Sequence, residues 1–176
     1  MNGFKIAITG VESTGKTTLA NALGTVLNAE VVPEAARFDA AVITGQCTLE
    51  TLTRLGIAQF NQCRKAAEFA VGRGRSGVIS DSDDTVLHVW GMEVFGKPPA
   101  GLECWQEWAD LTLLCAPTIP WEADPLRSAP SLAHRSKLHQ MYLDRMQDGR
   151  RWCLIDAAEK TERLDQAVRA FHTYVR

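Results

Sequence analysis

The run GVESTGKTTL at residues 10–19, entered from FKIAIT, constrains this chain more than any other feature. Gly10, four residues, then Gly15, Lys16 and Thr17 is the complete spacing of a phosphate-binding P-loop. Gly10 and Gly15 admit backbone conformations closed to other residues and let main-chain amides approach phosphate oxygens closely. The amides from about Glu12 to Thr17 can converge on one concave anion site. The helix that follows turns its positive end toward the same place. Such a loop needs a strand before it and a helix after it. KIAIT is a β-prone strand that breaks at Gly10, and GKTTLANALGTVL carries helical spacing through Leu19, Leu23, Val26 and Leu27.

The phosphate-binding set is therefore Gly10, Glu12, Ser13, Thr14, Gly15, Lys16, Thr17 and Thr18. Lys16 is expected to reach the β- and γ-phosphates of ATP, and the Thr17 hydroxyl to hold Mg²⁺.

Past the loop, strand and helix signals alternate. Strands are expected at 4–9, 29–32, 77–81, 110–115 and 151–156, and helices at 16–27, 34–43, 48–72, 83–95, 131–147 and 160–174. The helix from Thr48 has an N-cap and an acidic first turn in TLE. This alternation predicts an α/β fold, a parallel sheet with helices on both faces. In such sheets the ligand lies beyond the carboxyl ends of the strands, so the residues there are the next to read.

Strand two runs into VVPEAARFD, where Pro33 keeps Val32 extended. Glu34 and Arg37 follow one helical turn apart. They are either a surface ion pair of little worth or a base and a cation facing an acceptor. Strand three ends in ISDSDD. Asp81 closes the apolar run, the place of a Walker B carboxylate that holds Mg²⁺ directly or through water. Asp83 is either a substrate contact or, with Ser82, a cap for the next helix, and Asp84 suits that helix start.

Strand four leads into APTIPWEADPLRSAP, whose four prolines forbid a continuous helix. A stiff stretch at about 117–130 over the strand ends reads as a lid. In it, Arg127 is either a solvated loop arginine or a cation that closes on the transferring phosphoryl group. Trp121 either stacks on a flat substrate ring or anchors the loop. His134 and Arg135 follow the lid and are candidates to touch phosphate. Trp105 and Trp108 read as packing, and the four histidines form no metal or nucleophile pattern.

The 176 residues, 45% apolar, suit one globular domain, and the net charge of −2 supplies no electrostatic grip for nucleic acid or anionic membrane. No stretch approaches the roughly 20 apolar residues of a membrane span, and no signal peptide is expected. Five cysteines without a CxxC read as reduced thiols in a cytoplasmic setting.

Together these stretches resemble the ribosylnicotinamide kinase domain of NadR-type proteins and the small P-loop ATPases grouped with it. The resemblance runs from about Lys5 to Leu154. It rests on ITGVESTGKTTL, PEAAR, IAQFNQCRKAAEFA, ISDSDD and above all TIPWEADPLRS. It implies a nucleoside-monophosphate-kinase-like fold with strand order 2-3-1-4-5, transferring the γ-phosphate of ATP to a hydroxyl. It places Glu34 near the acceptor hydroxyl, Asp81 near Mg²⁺, Arg127 near the phosphates and Trp121 near the nicotinamide ring. Ala35 and Phe38 depart from the family pattern, where an aromatic and an acidic residue are common. The chain also contains no HxGH motif, the mark of the adenylyltransferase domain that full-length NadR proteins carry.

The expectation is thus a small-molecule kinase with Lys16, Glu34, Asp81 and Arg127 as its catalytic group. The alternative is an ATP-binding switch acting through a protein partner. GTP specificity is disfavoured because no N/TKxD stretch is present. An AAA+ or ABC motor is disfavoured because the chain is short and lacks LSGGQ. A nucleic-acid-processing ATPase would need a basic surface.

Overall fold

Five parallel strands form one sheet in the order β2-β3-β1-β4-β5. They are β1 (Phe4–Gly10), β2 (Ala29–Val32), β3 (Gly77–Asp81), β4 (Leu111–Cys115) and β5 (Trp152–Ile155). The computed structural model describes residues 3–122 and 131–175. Helices α1 (Lys16–Val26), α2 (Ala40–Ile43), α3 (Leu49–Ala70), α4 (Asp84–Phe95), α5 (Leu132–Arg145) and α6 (Lys160–Tyr174) connect and cover the strands. The sheet order is the one the family resemblance implied.

The strands read as nearly unbroken apolar runs because both faces are covered. Ile6 and Ile8 of β1 pack with Leu19 and Leu23 of α1 and Ala167 and Ala170 of α6. Ala7, between them, turns to the other face. There it meets Val78, Cys63 and Ala66 with Trp105 and Trp108. Those two tryptophans meet edge to face at 5.5 Å, and Trp105 Nε1 donates to Gly56 O at 3.1 Å. They are core residues, as expected. A third cluster joins Val89 of α4 and Leu138 and Tyr142 of α5 to Val11 and Leu114. The five cysteines are free thiols, and burial pushes Cys63 up to about 12. Among the described residues, no helix is long and apolar enough to cross a membrane.

The helix starts follow their caps. Thr48 Oγ1 accepts from Thr51 N at 3.2 Å, Asp83 from Thr85 N at 3.0 Å, and Ser131 Oγ from His134 N at 3.5 Å. One expected helix, 34–43, differs. It is a 3₁₀ turn (Ala35–Phe38) followed by the single turn α2. Asp39 breaks it with φ −87° and ψ 126°, and its Oδ1 accepts from Ala41 N and Val42 N to start a new helix. Only Ala36 is buried across these elements. No apolar stripe therefore exists to hold a longer helix down.

Candidate functional site

The P-loop crosses the carboxyl end of β1 and feeds α1. Gly10 has φ 135°, and a Cβ there would lie 2.5 Å from the Cys115 carbonyl oxygen, so only glycine passes beside β4. Gly15 at φ 75° occupies the N-cap of α1 with no side-chain cap, which leaves the first amides of the helix open toward the loop. Thr14 Oγ1 donates to Val11 O at 2.7 Å. Lys16 Nζ folds over the loop and donates to Gly10 O at 2.8 Å and Val11 O at 3.0 Å.

Asp81 ends β3 with 1% exposure. Its Oδ2 accepts from Thr17 Oγ1 at 2.6 Å. Its Oδ1 is buried with no hydrogen-bond partner among the described residues. The sequence thus assigned two residues, 64 positions apart, that touch. A buried carboxylate oxygen with nothing to accept from, beside a hydroxyl, is a donor set suited to a hard divalent cation.

At the end of β2, Glu34 Oε2 lies 3.3 Å from Arg37 Nε. The backbone beside this pair is fixed from below. Ala35 N donates to Gln59 Oε1 at 2.7 Å, and Gln59 Nε2 donates to Ser80 Oγ at 3.2 Å. Ser80 Oγ donates in turn to Ser82 O at 2.6 Å. Ser82 sits at φ 82°, a left-handed conformation unusual for a serine. This buried relay ties the ends of β2 and β3 together through α3.

Asp83 makes a separate set of contacts. It is 3% exposed, caps α4 and faces Arg150, whose Nη1 is 3.5 Å from its Oδ2. Burial, then the charge of Asp84, push its carboxyl up to about 6. Arg145 pairs with Asp84 at 3.2 Å and Arg150 with Asp148 at 2.7 Å, so the cluster joins the start of α4 to the chain after α5. The geometry is that of the helix cap the sequence allowed.

A cleft of about 600 Å³ collects most of the remaining candidates. Its lining contains Gly10 to Leu19, Glu34 and Arg37. Beside these stand Val86, Val89, Trp90, Glu93, His134 and Tyr142 from α4 and α5, and Ala158 to Thr161 with Arg163 from the β5–α6 region. His134 Nε2 lies 2.8 Å from Glu93 Oε1, and that hydrogen bond holds the Glu93 carboxyl below its usual range. Burial pushes the Tyr142 phenol well up.

Asp81, Asp83 and Trp121 are not among the lining residues. Trp121 Nε1 donates to Glu12 Oε1 at 3.2 Å, and Glu122 N donates to Ser13 Oγ at 2.9 Å, so the entry to the expected lid rests on the P-loop. Arg127 and the rest of that lid, 123–130, lie outside the described residues.

Motif and spacing do not single out Gln59, Trp90, Tyr142, Glu93 or Arg163. A signal was available for two of them. Gln59 and Arg163 occupy core-facing stripe positions, with Leu55 and Cys63 on α3 and with Ala167 and Ala170 on α6.

A family model described as an AAA domain matches residues 5–170. The chain belongs to this AAA-domain family. The family description carries the AAA label, although the sequence had disfavoured an AAA+ motor. No curated protein matches the chain. Among solved structures, the chain is similar to a NadR protein in complex with NR, with TM-score 0.72, 20% identity and 98% of this chain covered. It spans 49% of that NadR chain. It is also similar to a deoxyadenosine kinase from M. mycoides (TM-score 0.60, 11% identity, 97% of this chain and 100% of that one). A sugar kinase from Janibacter sp. HTCC2649 is similar as well (TM-score 0.61, 15% identity, 97% and 95%). These likenesses establish the P-loop kinase-type fold with the sheet order found here.

Proposed function

We propose that this protein is a single-domain, ATP-dependent small-molecule kinase that transfers the γ-phosphate to a hydroxyl of a nucleoside-like metabolite, nicotinamide riboside being the first acceptor to test. One observation carries the reading. A single cleft is lined by the P-loop, by the Glu34–Arg37 pair at the end of β2, and by a mixed aromatic, apolar and polar wall from α4 and α5. A site that only held nucleotide would have no use for the second and third sets. The fold likeness to NadR, deoxyadenosine kinase and sugar kinase structures supports it.

In this reading the amides from Glu12 to Thr18 and Lys16 hold the triphosphate, and Arg127 of the lid, about 117–130, answers charge on the moving phosphoryl group. Thr17 and Asp81 would hold Mg²⁺, which neutralises charge on the β- and γ-phosphate oxygens. The free Oδ1 of Asp81 is what fits them for it. Glu34 accepts the proton of the acceptor hydroxyl. The proton leaves late, once the alcohol oxygen has begun to bond to phosphorus. Arg37 orients Glu34 and the acceptor. Trp121, on Glu12 of the P-loop, and Asp83, facing Arg150, would meet the acceptor from outside the lining described above. The partners are ATP and a small acceptor, in a cytoplasmic protein with no nucleic acid or membrane.

The test is ATP consumption with and without acceptors, followed by mass spectrometry of the product. Glu34→Gln should leave ATP affinity within a few-fold and lower acceptor phosphorylation by roughly 10² or more. A wild type whose ATP use responds to no small acceptor, and only to a protein partner, would establish the switch instead.

A further inference from the structure

Two arginines far from the P-loop in sequence touch its main chain from α5 and α6. Arg135 and Arg163 are each 3% exposed. Among the described residues, no carboxylate pairs with either. Buried guanidiniums are normally paired with acids. Here Nη donors of both go to loop carbonyls and one hydroxyl, while Nε of each has no hydrogen-bond partner among the described residues. Arg163 Nη2 donates to Thr14 O at 2.7 Å, and its Nη1 to Ala157 O at 2.8 Å and Thr118 Oγ1 at 3.2 Å. Arg135 Nη1 donates to Ser13 O at 3.4 Å and Ile119 O at 3.3 Å.

A trans peptide is planar, with its C=O and N–H pointing in opposite directions. The Ser13 carbonyl shares a peptide with the Thr14 N–H, and the Thr14 carbonyl with the Gly15 N–H. A cation that fixes each carbonyl on one side therefore fixes an amide on the other. It also polarises that peptide, making the N–H a stronger donor. The loop needs such support, because Ser13 at φ 56° and Gly15 at φ 75° flank Thr14 in left-handed conformations.

We infer that Arg135 and Arg163 are positioning residues of the phosphate site. They aim two consecutive P-loop amides, Thr14 N–H and Gly15 N–H, at a bound polyphosphate, whose negative charge balances the two buried guanidiniums. Arg163 adds a mechanical link. One guanidinium joins the P-loop to the segments after β4 and after β5, so nucleotide contacts on any of the three brace the others. The inference rests on the cleft being a nucleotide-phosphate site.

The experiment uses inorganic tripolyphosphate and ATP as probes, with affinity by calorimetry and the Thr14 and Gly15 amide signals by NMR. In the wild type both amide protons should shift downfield on adding tripolyphosphate. In Arg163→Gln the Gly15 shift should shrink and both affinities fall by about 10- to 100-fold, the range for a lost hydrogen bond to a charged group. The acceptor KM at saturating ATP should stay unchanged. Arg163→Lys should recover part of the loss, because a point charge cannot hold three acceptors in one plane. Arg135→Met should act more weakly, at Thr14. A folded Arg163→Gln with wild-type tripolyphosphate affinity and a wild-type Gly15 shift overturns the inference. If Arg163→Gln does not fold, the same wild-type values in Arg163→Lys overturn it. A wild type that binds neither probe would instead sink the proposed function.

Discussion

Asp81 and Thr17 illustrate how much a single residue's surroundings decide. The carboxylate sits at 1% exposure with one oxygen on the Thr17 hydroxyl and the other without a partner. That is costly in a folded core unless something else satisfies the free oxygen. Asp81→Asn and Thr17→Ala should each raise the Mg²⁺ concentration needed for half-maximal ATP turnover by at least about tenfold, as loss of support at a metal site does. Mg²⁺ titrations that overlay the wild type would remove both from the metal site. These two residues were legible because the P-loop and the strand-end rule assign them by spacing and place. Arg163 and Gln59 were not, although each breaks an apolar stripe. A polar residue at a core-facing helix position needs a buried partner, but spacing alone does not say which backbone group will provide it.

At the scale of elements, the strands and most helices follow from apolar runs and caps, since those signals are local. The stretch 34–43 does not, because its form depends on what lies beneath it. Gln59 of α3 grips Ala35 N and reaches Ser80 of β3, which holds Ser82 in its left-handed turn. The relay fixes where Glu34 stands relative to Asp81. Its two halves should separate on mutation. Ser80→Ala releases the Ser82 carbonyl and the Gln59 amide but leaves Gln59 Oε1 on Ala35 N, and should disturb chiefly the Mg²⁺ requirement. Gln59→Leu leaves Ser80 Oγ on the Ser82 carbonyl but releases Ala35 N, and should raise the acceptor KM by roughly tenfold, the equivalent of about 1.4 kcal/mol. Steady-state kinetics varying acceptor and Mg²⁺ in turn would check this. An unchanged acceptor KM in Gln59→Leu would mean that α3 plays no part in placing the acceptor end.

For the whole molecule, the strands' common direction puts their carboxyl ends on one side, and the sheet order sets the end of β2 one strand from that of β1, so that the cleft runs past Gly10 of β1 and past Glu34 and Arg37 after β2. That order came from family resemblance, since strand and helix alternation fixes neighbours in sequence, not across the sheet. The cleft is bounded by the P-loop, the lid entry, α4, α5 and the β5–α6 region, so a ligand in it ties together elements that otherwise meet only through the core. Binding to the folded state alone stabilises it by RT ln(1 + [L]/Kd), or about 2.7 kcal/mol at a hundredfold excess over Kd. For a chain of this size each kcal/mol moves Tm by about 2–4 °C. Mg²⁺ with a non-hydrolysable ATP analogue at that excess should therefore raise Tm by about 5–11 °C. A true acceptor should add a further increment, because it fills the set of lining residues that nucleotide leaves bare. Thermal melts with each ligand alone and together measure both terms. A nucleotide shift with no further increment from any nucleoside or sugar would separate a bare nucleotide site from the two-substrate cleft that the Glu34–Arg37 pair and the α4–α5 wall point to.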